Sequence, residues 1–328
     1  MDLCPLVFEP RLVNKLWGGR RLESLGKALP PDAEVGESWE VFDDAAGSAV
    51  VVAGPAQGRT LRQLSRLWGE ALCGQGREAW AARFPLLIKL LDATDDLSVQ
   101  VHPDDRLARV LEGPGAGGKS EAFVVLRADP GACMYVGWKP GVDQEAVRAA
   151  LGAGGLDRLL NRLDVAPGDV LDIPAGRAHA IGAGCVVAEV QQNCELTYRL
   201  WDFGRLEHGK PRELHVEQAL RALRFDQPFA SDNGLRRPRG LNRGFALDES
   251  LLEGPYFTVR RLTLRGAAPF APAGVPRVLM ALGGLRLAWS AGEGMMVPAG
   301  ATALLPAGLD ARVMPAEAGA QALWIEPR

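Results

Sequence analysis

The sequence has 328 residues, 47% hydrophobic and 23% charged, with a formal net charge of −3. That suits about two globular domains with a sizeable core, and it excludes the basic excess that would recruit nucleic acid or an anionic membrane. Five cysteines, an odd number without a C-x-x-C pair, argue against a disulfide framework or a Cys4 zinc site and fit reduced thiols in the cytoplasm.

The N-terminal stretch MDLCPLVFEPRLVNKLWGG lacks the charged head and apolar stretch of a signal peptide, and no apolar run reaches the ~18 residues of a membrane span. A soluble, intracellular monomer or small homo-oligomer is expected. Short β-type runs follow, at Val50 to Ala53, Phe84 to Leu91, Leu97 to Val101, Ala122 to Leu126 and Val170 to Ile173. Glycines and prolines separate them, as in a β-sandwich or barrel. Thr60 caps a predicted helix from Leu61, with Gln63 three residues on. Asp104 caps a second that carries Leu107, Val110 and Leu111 and ends at Gly113. Leucines and Val147 over 147–163 predict a helical hairpin broken at Gly152 to Gly155, and Val216 to Leu223 presents the last helical face. Residues 227–244, QPFASDNGLRRPRGLNRG, have no apolar periodicity and read as a linker between a part spanning 1–226 and a β-rich part spanning 245–328. Short strands resume there, at Phe257 to Leu264, Arg277 to Leu282, Leu285 to Trp289, Ala303 to Leu305 and Ala322 to Ile325. Pro-Ala-Gly recurs at 174–176, 298–300 and 306–308, each closing a β-run, and again at 272–274. Two related β-barrels or chance would both produce that echo.

Only four histidines occur, His102, His179, His208 and His215, so any histidine-bearing site lies before residue 216. Gln100 and His102, two apart in the β-run LSVQVHP, leave one face of a strand and can offer an amide oxygen and an imidazole to one metal. Alone, such a pair is more simply a strand-end histidine bonded to backbone. Lys119 and Glu121 share the same spacing in GKSEAF, where an exposed ion pair is the simpler reading in isolation. His179 follows the turn of IPAGRAHAIGAG amid apolar neighbours, as a satisfied core histidine also could. Together, two imidazoles, a carboxylate and an amide suit a divalent metal such as Zn²⁺, one per chain. Lys89 in FPLLIKLLDA, Glu189 in CVVAEVQQN and Arg199 in LTYRLWDFGR are charges within apolar runs. A buried charge needs a partner or a polar cavity, although long lysine and arginine stems can also carry their heads to solvent.

VQVHPDD, GKSE, IPAGRAHAIG and QQNCELTYRLWDFGR, with GESWE at 36–40 and FPLLIK at 84–89, resemble the short bacterial form of type I mannose-6-phosphate isomerases over roughly residues 10–220. The resemblance implies a mainly β protein of cupin-type jelly-roll barrels with a few short helices. It also implies one zinc on Gln100, His102, Glu121 and His179, and a phosphorylated sugar as substrate. It places Lys89, Lys119, Glu189 and Arg199 around the sugar and Ser98 near the phosphate. For an aldose–ketose isomerisation, Glu189 is favoured for proton transfer, with Lys119 or a metal-bound water as alternatives, Arg199 helping ring opening or polarising an oxygen, and Lys89 and Ser98 holding the phosphate. Arg177 stands where the family commonly has threonine, and Cys194-Glu195 replaces a commoner Ser-Asp; the arginine adds a cation that could alter substrate preference. Rival expectations are an isomerase of unphosphorylated sugars, an iron-dependent cupin oxygenase and a non-catalytic sugar-binding cupin. Relative kcat/KM for phosphorylated and free sugar, oxygen uptake, and ligand binding without turnover separate them.

Overall fold

The computed structural model describes all residues except 208, 227–234, 237–238 and 290–293. Its architecture follows from the apolar runs. Every residue of the strand Leu86–Ala93 is buried, and it lies between Val35–Val41 and Cys185–Gln192 inside a seven-stranded antiparallel sheet. A strand covered on both faces reads as nearly continuous apolar sequence. One face, with Leu91, Phe123, Leu171 and Val187, meets Met134, Val136 and Ile181 of a five-stranded sheet. The other face, with Ile88, Leu90, Val124 and Val190, packs on Val259, Val278, Leu304 and Ile325 of an eight-stranded sheet. That sheet closes in turn over a four-stranded one through Leu262, Leu279, Leu287, Val297 and Val313. Two double-sheet units therefore lie back to back, the mainly β, cupin-like class expected from the sequence.

The eight-stranded sheet draws on both ends of the chain. Its last strands are Leu6–Phe8 and Val51–Ala53, joined to Thr302–Leu305, with Leu6 opposite Leu304. The expected parts 1–226 and 245–328 thus share one sheet. The expected linker falls largely outside the described residues, but within it Leu235–Arg236 pairs with Val170 and Leu171, and Arg239–Asn242 pairs with the strand Ala246–Glu253. Ladder pairing needs only backbone groups, so an absent side-chain period did not forbid strands there.

The helices start where their caps predict. Thr60 accepts from Gln63 N and the Gln63 side chain returns the bond, a full capping box opening Leu61–Trp68. Asp104 caps Asp105–Glu112 and Gly113 ends it. Helix Val216–Ala222 covers the outer face of the five-stranded sheet, burying Ala219 and Leu220. The hairpin expected over 147–163 is half right. Gln144–Ala153 is helical, but Leu156–Leu159 is a 3-10 turn that runs into the strand Leu160–Asp164. That strand pairs with Cys133–Trp138, and Asn161 donates to the carbonyls of Val136, Gly137 and Trp138. Tertiary ladder bonds override the local leucine spacing there.

Three Pro-Ala-Gly turns mark places where backbones meet. Gly176 N donates to His102 O at 2.8 Å. A Cβ on Gly300 would lie 2.1 Å from Leu25 O, and Gly308 N donates to Ala71 O at 2.9 Å. The last two dock the C-terminal strands onto the N-terminal part.

Candidate metal centre and substrate pocket

Residues opposite one another in an antiparallel pair share a face, and the inner face of the seven-stranded sheet changes character along its strands. Leu91 and Val187 face each other in the apolar core; two residues further, Lys89 faces Glu189. The neighbouring strand steps likewise from Phe123 to Glu121. Across the barrel, His179 lies opposite Gln100, and Gln100 opposite Arg199. The even side-chain period of strands therefore gathers all these polar groups at one end of one barrel.

At that end, His102, Glu121 and His179 are fully buried, with one potential ligand atom from each mutually within 4.8 Å. Glu121 Oε1 is 2.8 Å from His179 Nε2 and 3.3 Å from His102 Nε2. The Gln100 carboxamide lies 3.2 Å from His179 Nε2. Each imidazole's Nδ1 is bonded to a carbonyl, His102 to Leu196 O at 2.9 Å and His179 to Arg177 O at 3.0 Å. A carbonyl only accepts, so Nδ1 carries the hydrogen and each Nε2 turns a lone pair inward. Burial and the Lys119 ammonium push the His102 pKa down to about 4, keeping that ring neutral. Burial alone would raise the Glu121 pKa, but Lys119 and the two imidazoles hold it well below the usual carboxylate range. His102 Nε2 and Glu121 Oε1 have no hydrogen-bond partner in the protein. Buried acceptors left this way are costly, and a divalent cation satisfies them together.

Beside the cluster opens a cavity of about 290 Å³, with Gln100, Lys89, Lys119, Glu189, Ser98 and Arg199 among its walls. Lys119 Nζ lies 3.1 Å from Glu121 and 3.8 Å from Glu189. Lys89 Nζ is 2.7 Å from Glu195, 3.6 Å from Glu189 and 3.7 Å from Glu37, and sits over the Trp39 ring. Burial opposes both ammoniums, but these carboxylates raise their pKa values and keep them charged. Glu189 is pushed the other way: burial raises its pKa despite the two lysines. For Glu37, burial works against ionisation, yet Lys89, Lys15 and the Trp39 indole N–H hold it down to about 2.

All nine residues singled out from the sequence converge here, six of them on the cavity wall and three in the buried cluster. Arg177 does not: its guanidinium donates to Asp172 O at 2.9 Å, away from the cavity. The departure at Glu195 does reach the site, through Lys89. Sequence reasoning assigned no role to Glu37, Lys15 or Arg212, which also line the cavity. Glu37 carried a signal, a carboxylate two residues before Trp39 in a strand, whereas Arg212 in KPREL had polar surroundings and none.

Fold and site together define a double-barrel β protein with a candidate two-histidine, one-carboxylate metal centre at the floor of a charged pocket. The family profile "Phosphomannose isomerase type I, catalytic domain" matches residues 6–116. Mannose-6-phosphate isomerase of Streptococcus mutans is 36% identical over 265 residues, 80% of each chain. Mannose-6-phosphate isomerase ManA of Bacillus subtilis is 35% identical over 271 residues, 82% of each. The crystal structure of the mannose 6-phosphate isomerase from Bacillus subtilis superposes with a TM-score of 0.86 at 28% identity, covering 98% of this chain and 99% of that one. The chain belongs to the type I mannose-6-phosphate isomerase family.

Proposed function

We propose that the chain interconverts mannose 6-phosphate and fructose 6-phosphate in the cytoplasm, using one zinc ion held by Gln100, His102, Glu121 and His179. Within the family, the observation that carries this reading is the pair of inward Nε2 lone pairs converging on Glu121 Oε1, a set with no protein partner for His102 Nε2 or the carboxylate oxygen. Neutral imidazoles, one carboxylate and an amide oxygen suit zinc and leave net charge near +1. When bound, such an ion polarises a sugar oxygen and lowers the cost of enediolate charge. No described helix is long and apolar enough to cross a membrane, and the five cysteines are buried and form no disulfide, which agrees with a reducing compartment.

The side chains divide the remaining work. Glu189 takes the proton from C2 and returns it to C1, since burial makes its carboxylate a stronger base than usual. Lys119 stays protonated between Glu121 and Glu189 and so serves as a charged donor to the substrate oxygens rather than as the base. Arg199 donates from Nε to Ser98 Oγ at 3.3 Å and from Nη1 to Glu213 O at 2.7 Å, which fixes its head beside Gln100 for polarising an oxygen during ring opening. Lys89 and Ser98, both lining the cavity, bind the substrate and so fix its reacting carbons.

A coupled isomerase assay on mannose 6-phosphate, with chelator and then with added zinc, tests the reading. Activity should vanish with the metal and return with zinc, and His179→Ala should lose metal and turnover together. Chelator-insensitive turnover by a metal-free protein would refute it.

A further inference from the structure

The pocket is electrically two-sided. Around the metal cluster, Lys15, Lys89 and Lys119 meet Glu37, Glu121, Glu189 and Glu195. Where Arg199 stands opposite Gln100, the balance reverses. Arg205 and Arg212 both reach the same oxygen of Asp202, at 2.6 and 3.2 Å. Asp202 is buried and its second oxygen has no hydrogen-bond partner. Arg199 lies near both arginines, and its pKa is lowered first by burial and next by Arg212. Two guanidiniums thus pair with one buried carboxylate and a third lies beside them; the other acids nearby, Asp95, Glu207 and Glu213, are half-exposed or more. The cavity wall at this end is formed by Ser98, Thr197, Arg199 and Arg212.

A phosphate monoester carries close to two negative charges at neutral pH, and arginine engages it with paired N–H donors. The excess of guanidinium over carboxylate at this end matches that charge. Lys89 could engage the phosphate only by loosening contacts to three carboxylates. Chain geometry favours the same end: after the hairpin of Leu206–Glu207 and Lys210–Pro211, residues 212–215 run back along Arg199, whose carbonyl accepts from His215 N at 2.8 Å.

We propose that Arg212 is the phosphate-specificity residue of this site, held by Asp202, receiving the phosphoryl dianion beside Ser98, while Arg199 stays with the sugar oxygens and Lys89 remains at the sugar end. This rests on the chain acting on a sugar phosphate. Asp202 acts as a positioning residue through Arg212.

The test uses the zinc-loaded full chain, with steady-state kinetics on mannose 6-phosphate and competitive inhibition by mannitol 6-phosphate and by uncharged mannitol. Arg212→Gln should raise KM and the inhibition constant of the phosphorylated polyol by about tenfold or more, the loss expected from one charge-assisted contact. It should leave kcat, zinc content and mannitol inhibition nearly unchanged. Arg212→Lys should recover part of the loss, and Asp202→Asn should raise KM without moving kcat. Equal losses for both polyols, or wild-type inhibition by the phosphorylated one in Arg212→Gln or Arg212→Lys, would overturn the assignment. If the unaltered protein did not turn over mannose 6-phosphate at all, the isomerase reading itself would fail, a separate outcome.

Discussion

Glu189 sits where ionisation is expensive: buried on an inner strand face, 3.6 Å from Lys89 and 3.8 Å from Lys119, with Glu121 and Glu37 adding negative charge nearby. A base works only when deprotonated, and burial has moved its titration upward. The ascending limb of kcat/KM against pH should therefore lie above the ordinary glutamate range of about 4.3. Glu189→Gln should lower kcat by roughly a hundredfold or more and erase that limb while retaining zinc. A limb that persists in the glutamine variant would assign it to another group. These polar residues were legible because each interrupts an apolar run or belongs to a scarce type; a lone Glu within CVVAEV has few places to go. Arg212 was not legible, because an arginine among polar neighbours looks like ordinary surface until the fold brings it beside Arg199.

At the level of elements, the metal cluster depends on how tightly the chain before Glu121 lies against the chain after His102. Lys119 N donates to Pro103 O at 3.1 Å, and Gly118 N donates to Asp105 Oδ1 at 2.8 Å. A Cβ on Gly118 would stand 2.5 Å from Asp105 N and 2.6 Å from the Asp104 carbonyl carbon. Those are backbone atoms that cannot swing aside. Gly118→Ala should push Lys119 and Glu121 away from His102 and weaken zinc binding by about ten- to a hundredfold in a chelator competition. Gly117→Ala, whose Cβ would meet nothing nearer than 3.9 Å, should bind zinc as the unaltered chain does. Zinc affinity untouched by Gly118→Ala would show that this close approach does not set the cluster. Elements announced by local chemistry were readable in advance, such as the helix behind Thr60 and Gln63. Leu160–Asp164 was misread because its leucines fit a helical spacing and its partner strand lies about two dozen residues upstream.

For the molecule as a whole, a small buried polar knot ties the two barrels together. Lys27 Nζ lies 2.6 Å from Glu40 Oε2, Thr302 Oγ1 donates to the same oxygen at 3.0 Å, and Ser38 Oγ donates to Glu40 Oε1 at 2.7 Å. Glu40→Ala would leave the buried Lys27 ammonium unpaired, and urea unfolding should report a loss of about 3–5 kcal/mol. Pairing that change with Lys27→Met should restore much of it; an unchanged unfolding midpoint in Glu40→Ala would deny the knot any role. The polar stretch 227–244 suggested two parts, yet strands from both share a sheet: nothing in LVF at 6–8 says that its neighbour is TALL at 302–305.

That pairing has a consequence for how the protein is made. Leu6 meets Leu304 only after nearly the whole chain has left the ribosome, so the first strand emerges long before its mate exists. Until then its open edge and the apolar back of the neighbouring sheet are available to other nascent copies. Synthesis is therefore the vulnerable moment for this enzyme, when crowding on polysomes or a shortage of chaperones should divert it into aggregates, even though Leu6–Phe8 is paired on both sides in the finished molecule.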